Sequence, residues 1–289
     1  MRIARLALVA AVLALVACEP ADSGGGGGGV GGKLAFIRSG MLVVSLDSGD
    51  QERDLTDQNT STDPALSRNG QTVAFAYAEG GDLGTTTIET VPFSGSTRTP
   101  VASPAAGQSF SQPAWSPDGS TLVFLDTEGA TTTLMTVPSA GGTPAALSPA
   151  PQTSENLAFP TYIDQQTLLV SVGTSLELET LNLTSGVLTD LGVSSPSRAA
   201  VSPDGSKIAY AKSGTTLHIV LRDLNSGTET PLAQTDSDDL NPAFAPDGTL
   251  VAFDTKGQNA SSPQIYDVKA DGSAGTMLLQ SGQEVSWGP

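Results

Sequence analysis

The chain has 289 residues, with 30 acidic and 13 basic side chains, and its formal net charge is -17. Such a surface repels a phosphate backbone, and no basic stripe interrupts it, so the composition argues against a nucleic-acid partner. Cys18 is the only cysteine, which excludes a disulfide within the chain and a cysteine-based metal site. Few charges and abundant Gly, Ser, Thr and Pro favour many short strands joined by tight turns.

The first 17 residues have the features of a signal peptide. Arg2 and Arg5 form a basic start, and residues 6–16 form an apolar run that is too short to span a bilayer. The run ends in Leu-Val-Ala-Cys at Cys18, which resembles the bacterial lipobox. That resemblance implies cleavage before Cys18 and a diacylglyceryl group on its sulfur. The alternative is an ordinary secretory signal with an unrelated cysteine.

A tether follows the predicted lipidation site. Without the signal segment the chain has 11 basic and 30 acidic residues, a net charge of -19. Glu19 stands where inner-membrane lipoproteins commonly have aspartate, which favours an outer-membrane anchor if the cell is Gram-negative. Residues 19–32 are glycine-rich and would span about 20 Å as a flexible coil. We expect a cell-envelope protein of three parts: signal peptide 1–17, lipidated tether 18–32 and folded domain 33–289.

A six-residue motif repeats along the folded domain. Ala-Trp-Ser-Pro-Asp-Gly at 114–119 recurs as Ala-Val-Ser-Pro-Asp-Gly at 200–205 and Ala-Phe-Ala-Pro-Asp-Gly at 243–248. Weaker copies occupy 65–70 and 161–165. The apolar residues of successive copies lie between 39 and 49 residues apart, which is a typical blade length of a propeller. These apolar residues are Leu66, Trp115, Tyr162, Val201, Phe244 and, at the end of the chain, Trp287.

Each copy precedes the same series of predicted strands. After 114–119 come a buried strand at 122–124, an alternating strand at 134–137, a glycine turn and a short outer strand. At the start of the domain, residues 33–36 are predicted to be the second strand of a blade whose innermost strand does not precede it. At the end, residues 283–289 are predicted to be an innermost strand that no second strand follows. The sequence therefore predicts an all-β, six-bladed β-propeller with four antiparallel strands per blade. Pairing of the C-terminal innermost strand with the N-terminal blade closes it.

The Ser-Pro-Asp-Gly tetrapeptide has a local structural role. Pro presets φ at the second position of a type I turn, Asp suits the third, and Gly relieves strain at the fourth. Metal binding and catalysis are the minor alternatives for these aspartates. The residues interpreted as turn formers are Asp118, Gly119, Asp204, Gly205, Asp247 and Gly248.

The sequence Pro-Ala-Trp-Ser-Pro-Asp-Gly at 113–119 resembles the propeller of the TolB family and the propellers of prolyl oligopeptidase-like enzymes. The resemblance covers about residues 33–289 and implies a six-bladed propeller. TolB carries an extra domain before its propeller and is not lipidated, whereas here the propeller follows the tether directly. The chain therefore looks like a TolB-like lipoprotein and not TolB, and the Pal- and TolA-binding roles of TolB do not carry over.

The residues of common catalytic sites are missing from the sequence. His218, the single histidine, lies in a predicted strand at 216–220, and no Gly-x-Ser-x-Gly elbow occurs. Zinc ligands, a Walker loop and a dinucleotide fingerprint are also absent. We expect no catalytic residue, no cofactor and no bound metal. A degenerate hydrolase or lyase remains the less favoured alternative.

One set of residues is predicted to meet at the propeller axis, three positions before each motif apolar residue. Four of them precede a proline, which suggests the first residue of a strand, and an acidic loop at 236–239 lies beside them. The predicted funnel residues are Asp63, Gln112, Phe159, Arg198, Asn241 and Glu284, with Asp238 and Asp239 from the loop.

The favoured interpretation of the funnel residues is ordinary solvated loop polarity, and the alternative is a site for a ligand or Ca²⁺, which prefers carboxylate and carbonyl oxygens. For the whole protein, the favoured hypothesis is a monomeric, non-catalytic scaffold whose propeller face binds an envelope protein or peptide. The alternative function is binding of a small ligand or Ca²⁺ in the funnel. As exposed loop residues, Asp63 and Glu284 would be replaceable by alanine at under about 0.5 kcal/mol.

Overall fold

A computed structural model describes residues 31–82, 84–232, 237–255, 262–273 and 275–289. These residues form 24 strands in six four-stranded antiparallel sheets and one short 3-10 helix, Glu79–Gly81. The predicted signal peptide, the lipidation site Cys18 and most of the tether lie outside the described residues. Within them, no helix has the length and apolar character needed to cross a membrane.

The first three blades are given from the axis outward. Blade 1 consists of β24 (Gln283–Gly288), β1 (Lys33–Arg38), β2 (Met41–Leu46) and β3 (Arg53–Asp54). Blade 2 consists of β4 (Ser61–Leu66), β5 (Thr72–Tyr77), β6 (Thr87–Pro92) and β7 (Thr99–Ala102). Blade 3 consists of β8 (Gln108–Trp115), β9 (Thr121–Glu128), β10 (Thr131–Pro138) and β11 (Ala145–Ala146).

The other three blades repeat this order. Blade 4 consists of β12 (Leu157–Asp164), β13 (Thr167–Val172), β14 (Glu177–Asn182) and β15 (Leu188–Ser194). Blade 5 consists of β16 (Ala200–Val201), β17 (Lys207–Lys212), β18 (His218–Asp223) and β19 (Glu229–Pro231). Blade 6 consists of β20 (Asp239–Phe244), β21 (Leu250–Thr255), β22 (Gln264–Lys269) and β23 (Thr276–Leu279).

The ring closes through the two ends of the domain, as the sequence predicts. β24 pairs antiparallel with β1, and the paired residues include Lys33 with Gly288 and Leu34 with Trp287. This contact completes blade 1 and places it between blades 6 and 2. The six-bladed, four-stranded architecture predicted from the repeat is therefore confirmed.

The core lies between the blades. Residues 34–37 of β1 are buried on both faces, because each blade packs against a neighbour on either side, so this strand is a continuous apolar run. Between blades 6 and 1, Phe36 packs with Ile265 and Val285 in one of six such clusters. The outer strands, by contrast, are mostly exposed, and all except β15 have four residues or fewer.

The repeated tetrapeptide joins β8 to β9 by a tight turn. Gly119 N donates to Ser116 O at 2.9 Å, and Gly119 has φ +71°. Asp118 Oδ1 accepts from Ser116 Oγ at 2.7 Å and from Ser120 N at 3.0 Å, which lowers the pKa of Asp118 to about 2. In the weaker copy at 65–70, Asn69 stands in place of the aspartate, and its Oδ1 accepts the equivalent hydrogen bond from the Ser67 hydroxyl.

The other two intact copies have the same turn. Asp204 accepts from the Ser202 and Ser206 hydroxyls at 2.7 Å and 2.8 Å, and these bonds lower its pKa to about 2. Asp247 accepts from Thr249 N at 2.9 Å. Gly205 and Gly248 have φ +72° and +73°. The carboxylates therefore stabilise these turns by accepting hydrogen bonds from groups of the same turn.

Gly70→Ala is expected to destabilise the protein far more than Gly119→Ala, although both residues end the same turn. Each has a positive φ, +64° and +71°, so alanine costs about 1–2 kcal/mol at either position. A Cβ on Gly70 would also lie 1.7 Å from the Pro289 carbonyl oxygen, whereas nothing lies within 4 Å of one on Gly119. Urea unfolding of the two variants measures the difference, and equal losses would contradict the close approach of Pro289.

Candidate functional site

Five of the six funnel residues predicted at the repeated position lie inside the innermost strands and not at their first residues, and the sixth, Arg198, precedes β16. Pro113, for example, lies well within β8, so the expectation that these prolines begin strands is wrong. In each of five blades the pairing register breaks at this point. The break is a β-bulge, where a residue without an N–H donor is tolerated. The bulge residues have φ between +49° and +54° and are Asp63, Gln112, Phe159, Asn241 and Glu284.

Neighbouring blades satisfy the backbone N–H groups of these bulges. Asp63 N donates to Glu284 Oε2 at 2.8 Å, and Gln112 N donates to Asp63 Oδ2 at 3.3 Å. Phe159 N donates in turn to Gln112 Oε1. Three consecutive side chains therefore point around the axis, each binding the backbone of the next blade. Since Asp63 and Glu284 link blades in this way, they are not the freely replaceable loop residues that the sequence suggested.

The other side of the ring uses different side chains for the same purpose. Asn241 N donates to Ser197 Oγ at 3.2 Å, and Glu284 N donates to Asp254 Oδ1 at 3.1 Å. Asn241 Nδ2 also donates to Asp254 Oδ2 at 3.3 Å. Ser197 and Asp254 were missed by the sequence analysis, because neither stands at the repeated position.

Arg198 spans the central channel. It belongs to the chain just before β16 in blade 5, yet its guanidinium donates to Pro64 O in blade 2 and Val285 O in blade 1. Blade 5 touches neither of these blades around the ring, so the side chain has to cross the axis. Arg198 is half-buried there. It lies across the channel, between the residues on the motif side and those on the opposite side.

A cavity of about 370 Å³ lies on the motif side of this crossing. Of the predicted funnel residues, Asp63, Gln112, Phe159 and Arg198 line it, whereas Asn241 and Glu284 do not. The funnel predicted from the sequence is therefore only partly one cavity.

The acidic loop does not contribute to this cavity. Asp238 is exposed and accepts from Leu217 N at 2.8 Å, and Asp239 is buried at the start of β20. Asp236 lies outside the described residues. Among the described residues, no group of three or more His, Cys, Asp or Glu side chains is placed to hold a metal ion. The cavity does not bring together the carboxylates invoked for Ca²⁺.

The apolar wall of the cavity was not predicted as part of the site. The sequence analysis used the motif apolar residues to count blades, but Leu66, Trp115, Tyr162, Val201, Phe244 and Trp287 all line the cavity. Prolines from the bulges and turns complete the wall. The motif apolar residues could have been assigned to the cavity from the sequence, because each comes three residues after a predicted funnel residue.

Two carboxyl groups near the axis have raised pKa values. Burial is the main cause for Asp63, whose pKa is about 6, and the charge of Glu284 raises it further while Arg198 opposes the shift. Burial also raises the pKa of Asp254 to about 6. Both groups bind backbone N–H donors, which favour the ionised form. Burial outweighs these bonds.

Asp63→Asn is expected to raise the free energy of unfolding at neutral pH by about 1–2 kcal/mol. The pKa of Asp63 is about 6 in the folded protein against an ordinary 3.8. The folded state therefore holds more protons than the unfolded state between these values, so stability falls as pH rises through this window. Asparagine removes the ionisation and keeps an oxygen that accepts from Gln112 N.

Urea unfolding between about pH 4.5 and pH 7.5 tests this expectation. The wild type should lose stability across the range, and Asp63→Asn should lose less, since one of the two axial carboxyl groups with a raised pKa no longer ionises. Asp57→Asn is the matched control, because Asp57 is an exposed carboxylate away from the axis. An Asp63→Asn profile parallel to the wild type would contradict the burial of this charge.

His218 lies away from the cavity, on β18. Its Nε2 is 2.8 Å from Thr216 Oγ1. His218 therefore does not take part in the cavity.

Six four-stranded blades closed around an axial cavity define this chain as a six-bladed β-propeller. No protein-family model and no curated protein sequence matches it. Solved structures do: TolB from Acinetobacter baumannii is 21% identical with a TM-score of 0.75, over 92% of this chain and 68% of that one. Putative TolB from Agrobacterium tumefaciens is 16% identical with a TM-score of 0.65, over 86% and 88%.

The fold is also shared with an enzyme. Oligogalacturonate lyase in complex with manganese is 14% identical with a TM-score of 0.57, over 81% of this chain and 69% of that one. At these identities the comparisons show the fold alone. The chain is TolB-like in architecture, and the low identity agrees with the expectation that it is not TolB itself.

Proposed function

We propose that this chain is a lipid-anchored cell-envelope protein whose propeller binds a protein or peptide segment in its axial cavity. The observation that carries the proposal is the cavity wall, to which all six blades contribute prolyl, aromatic or aliphatic residues. Concave, mostly apolar pockets with a few polar groups are the usual form of a binding site. A peptide can bury an apolar side chain against this wall, and Arg198 with Gln112 can fix its orientation.

A binding role suits these residues better than catalysis does. The cavity lining contains one carboxylate, Asp63, and no histidine or cysteine. General acid–base chemistry needs a positioned proton donor and acceptor, and nucleophilic chemistry needs an activated nucleophile. The Asp118 and Asp204 carboxylates accept hydrogen bonds within their own turns. These observations support a non-catalytic scaffold.

The start of the propeller supports anchoring on the cavity side. β1 begins at Lys33, which pairs with Gly288 at the end of β24, beside the cavity residue Trp287. Gly32 lies so close that a Cβ would be 2.3 Å from Trp287 Nε1. A tether to lipidated Cys18 would thus leave from the cavity face, so a partner held there would lie close to the membrane surface.

Filling the cavity is expected to abolish partner binding without unfolding the protein. Thr161 lines the cavity, and tryptophan at this position would occupy much of its volume. Thr180→Trp is the matched control, because Thr180 is on β14 in the same blade but outside the cavity. Crosslinking in intact envelopes should recover partners with wild type and Thr180→Trp, and at least tenfold less with Thr161→Trp. Equal recovery would place recognition on another surface.

A further inference from the structure

The charge inside the cavity differs from that of the rest of the molecule. The whole chain carries a formal net charge of -17, but the charged side chains that line the cavity are Arg68, Arg198 and one acid, Asp63. Asp63 directs Oδ2 to Gln112 N and Thr62 Oγ1. The side chains that line the cavity therefore carry one more positive than negative charge, whereas the chain as a whole is strongly acidic.

The two arginines form no ion pair within 4.0 Å in the part of the chain that the structure describes, although the charge of Arg198 acts on the carboxyl groups of Asp63 and Asp254. Arg38, Arg98 and Arg222 each form an ion pair with a glutamate, whereas Arg68 and Arg198 form none within 4.0 Å. Arg198 donates to two carbonyl oxygens. A guanidinium has five N–H donors, so Arg198 keeps others for a ligand. Arginine forms strong, directional hydrogen bonds with carboxylates.

The shape of the cavity limits what can reach Arg198. Because this side chain crosses the axis to Pro64 and Val285, it lies across the path that a polypeptide would take through the ring. A volume of about 370 Å³ is at the small end for ligand pockets, so it suits one chain end better than a two-stranded loop. The aromatic and prolyl wall suits an apolar side chain next to the charged group.

We propose that the cavity binds the C-terminal end of a peptide, with the terminal carboxylate at Arg198 and Arg68 and an apolar last side chain against the aromatic wall. This inference rests on the proposed function, because it names the chemistry of the segment that the cavity takes. Charge complementarity and the position of Arg198 across the axis favour a chain end over an internal segment.

Two matched peptide libraries test the inference. Randomised, N-acetylated tetrapeptides are synthesised once with a free C-terminal carboxylate and once as C-terminal amides, and are captured on the full lipidated chain in detergent. Members with a free carboxylate and an apolar last residue should be recovered at least tenfold more than the corresponding amides. Equal recovery of acids and amides would overturn the chain-end inference and leave peptide binding intact. Failure of both libraries would overturn it as well, while crosslinking in envelopes still tests the scaffold independently.

Arginine variants identify the group that binds the carboxylate. Arg198→Gln should remove the preference for free carboxylates, and Arg68→Gln should reduce it. Arg68 is exposed at the rim, so its variant folds even if loss of the Arg198 bonds weakens the ring. Arg53→Gln is the control, because Arg53 donates to Phe93 O and lies outside the cavity. An unchanged preference in Arg68→Gln and Arg198→Gln would contradict the assignment.

Discussion

A chain that lacks residues 283–289 is expected to lose its cooperative unfolding transition and to aggregate. This deletion removes β24, the innermost strand of blade 1, and exposes the edge of β1. It also removes Val285 and Trp287 from the core between blades 6 and 1. Truncating one large core residue costs about 2–5 kcal/mol, and a whole domain is stable by only about 5–15 kcal/mol. Thermal unfolding followed by circular dichroism measures the loss.

Adding the missing strand as a synthetic peptide provides the control. A peptide of residues 281–289 should restore a cooperative transition to the truncated chain, because the edge of β1 is then paired again. A scrambled peptide of the same composition should not. A soluble truncated chain that melts like the wild type would show that blade 1 does not need β24, and would contradict closure through the termini.

The propeller could be predicted from the sequence because the repeated motif specifies a particular turn. A type I turn needs Pro, Asp and Gly at fixed positions, so the motif marks the end of an innermost strand in each intact copy. Where the motif has decayed, the strands remain, since the apolar runs 73–76 and 168–172 still pack between blades. Ring closure was predicted because the start of the domain lacks an innermost strand and the end of the domain supplies one.

The centre of the ring was less predictable. Non-glycine residues rarely adopt a positive φ, and although Asp is enriched there, Gln112 and Phe159 have no such preference as residue types. The bulge forms because the preceding blade supplies a hydrogen-bond acceptor for the extra N–H, and that partner lies 49 or more residues away in sequence. Asp238 and Asp239 were predicted to join the funnel because they lie next to an innermost strand in sequence. Asp239 begins β20 and Asp238 precedes it, at the end of the strand away from the motif turn, so neither lines the cavity.

The central residues therefore have two roles that mutations have to separate. Asp63 and Gln112 line the cavity, and they also bind the backbone of adjacent blades. Alanine at either position leaves a bulge N–H without its partner, at a cost of about 1–3 kcal/mol. A binding defect in such a variant would be ambiguous. Substitutions on the wall, at Thr161 or Arg68, change the cavity without breaking the ring.

Cys18→Ser is expected to move the protein from the membrane fraction to the soluble fraction and to lower its mass by that of the lipid. Each buried acyl CH₂ contributes roughly 0.8 kcal/mol of membrane affinity, so the acyl chains would supply nearly all of the binding. The rest of the chain adds no attraction to anionic lipid, because it carries 11 basic against 30 acidic residues once residues 1–17 are removed. Intact-mass spectrometry and membrane flotation measure both changes.

Moving the cysteine tests whether the surrounding sequence directs the modification. Ser23→Cys in the Cys18→Ser chain restores one cysteine five positions further on, outside the Leu-Val-Ala-Cys sequence. This double variant should stay unlipidated and soluble, because a lipobox is read from the residues before its cysteine. Acylation of Cys18→Ser itself, or unchanged flotation with unchanged mass, would refute the anchor. A propeller without it would still fold and bind, but it would no longer hold its partner at the membrane surface.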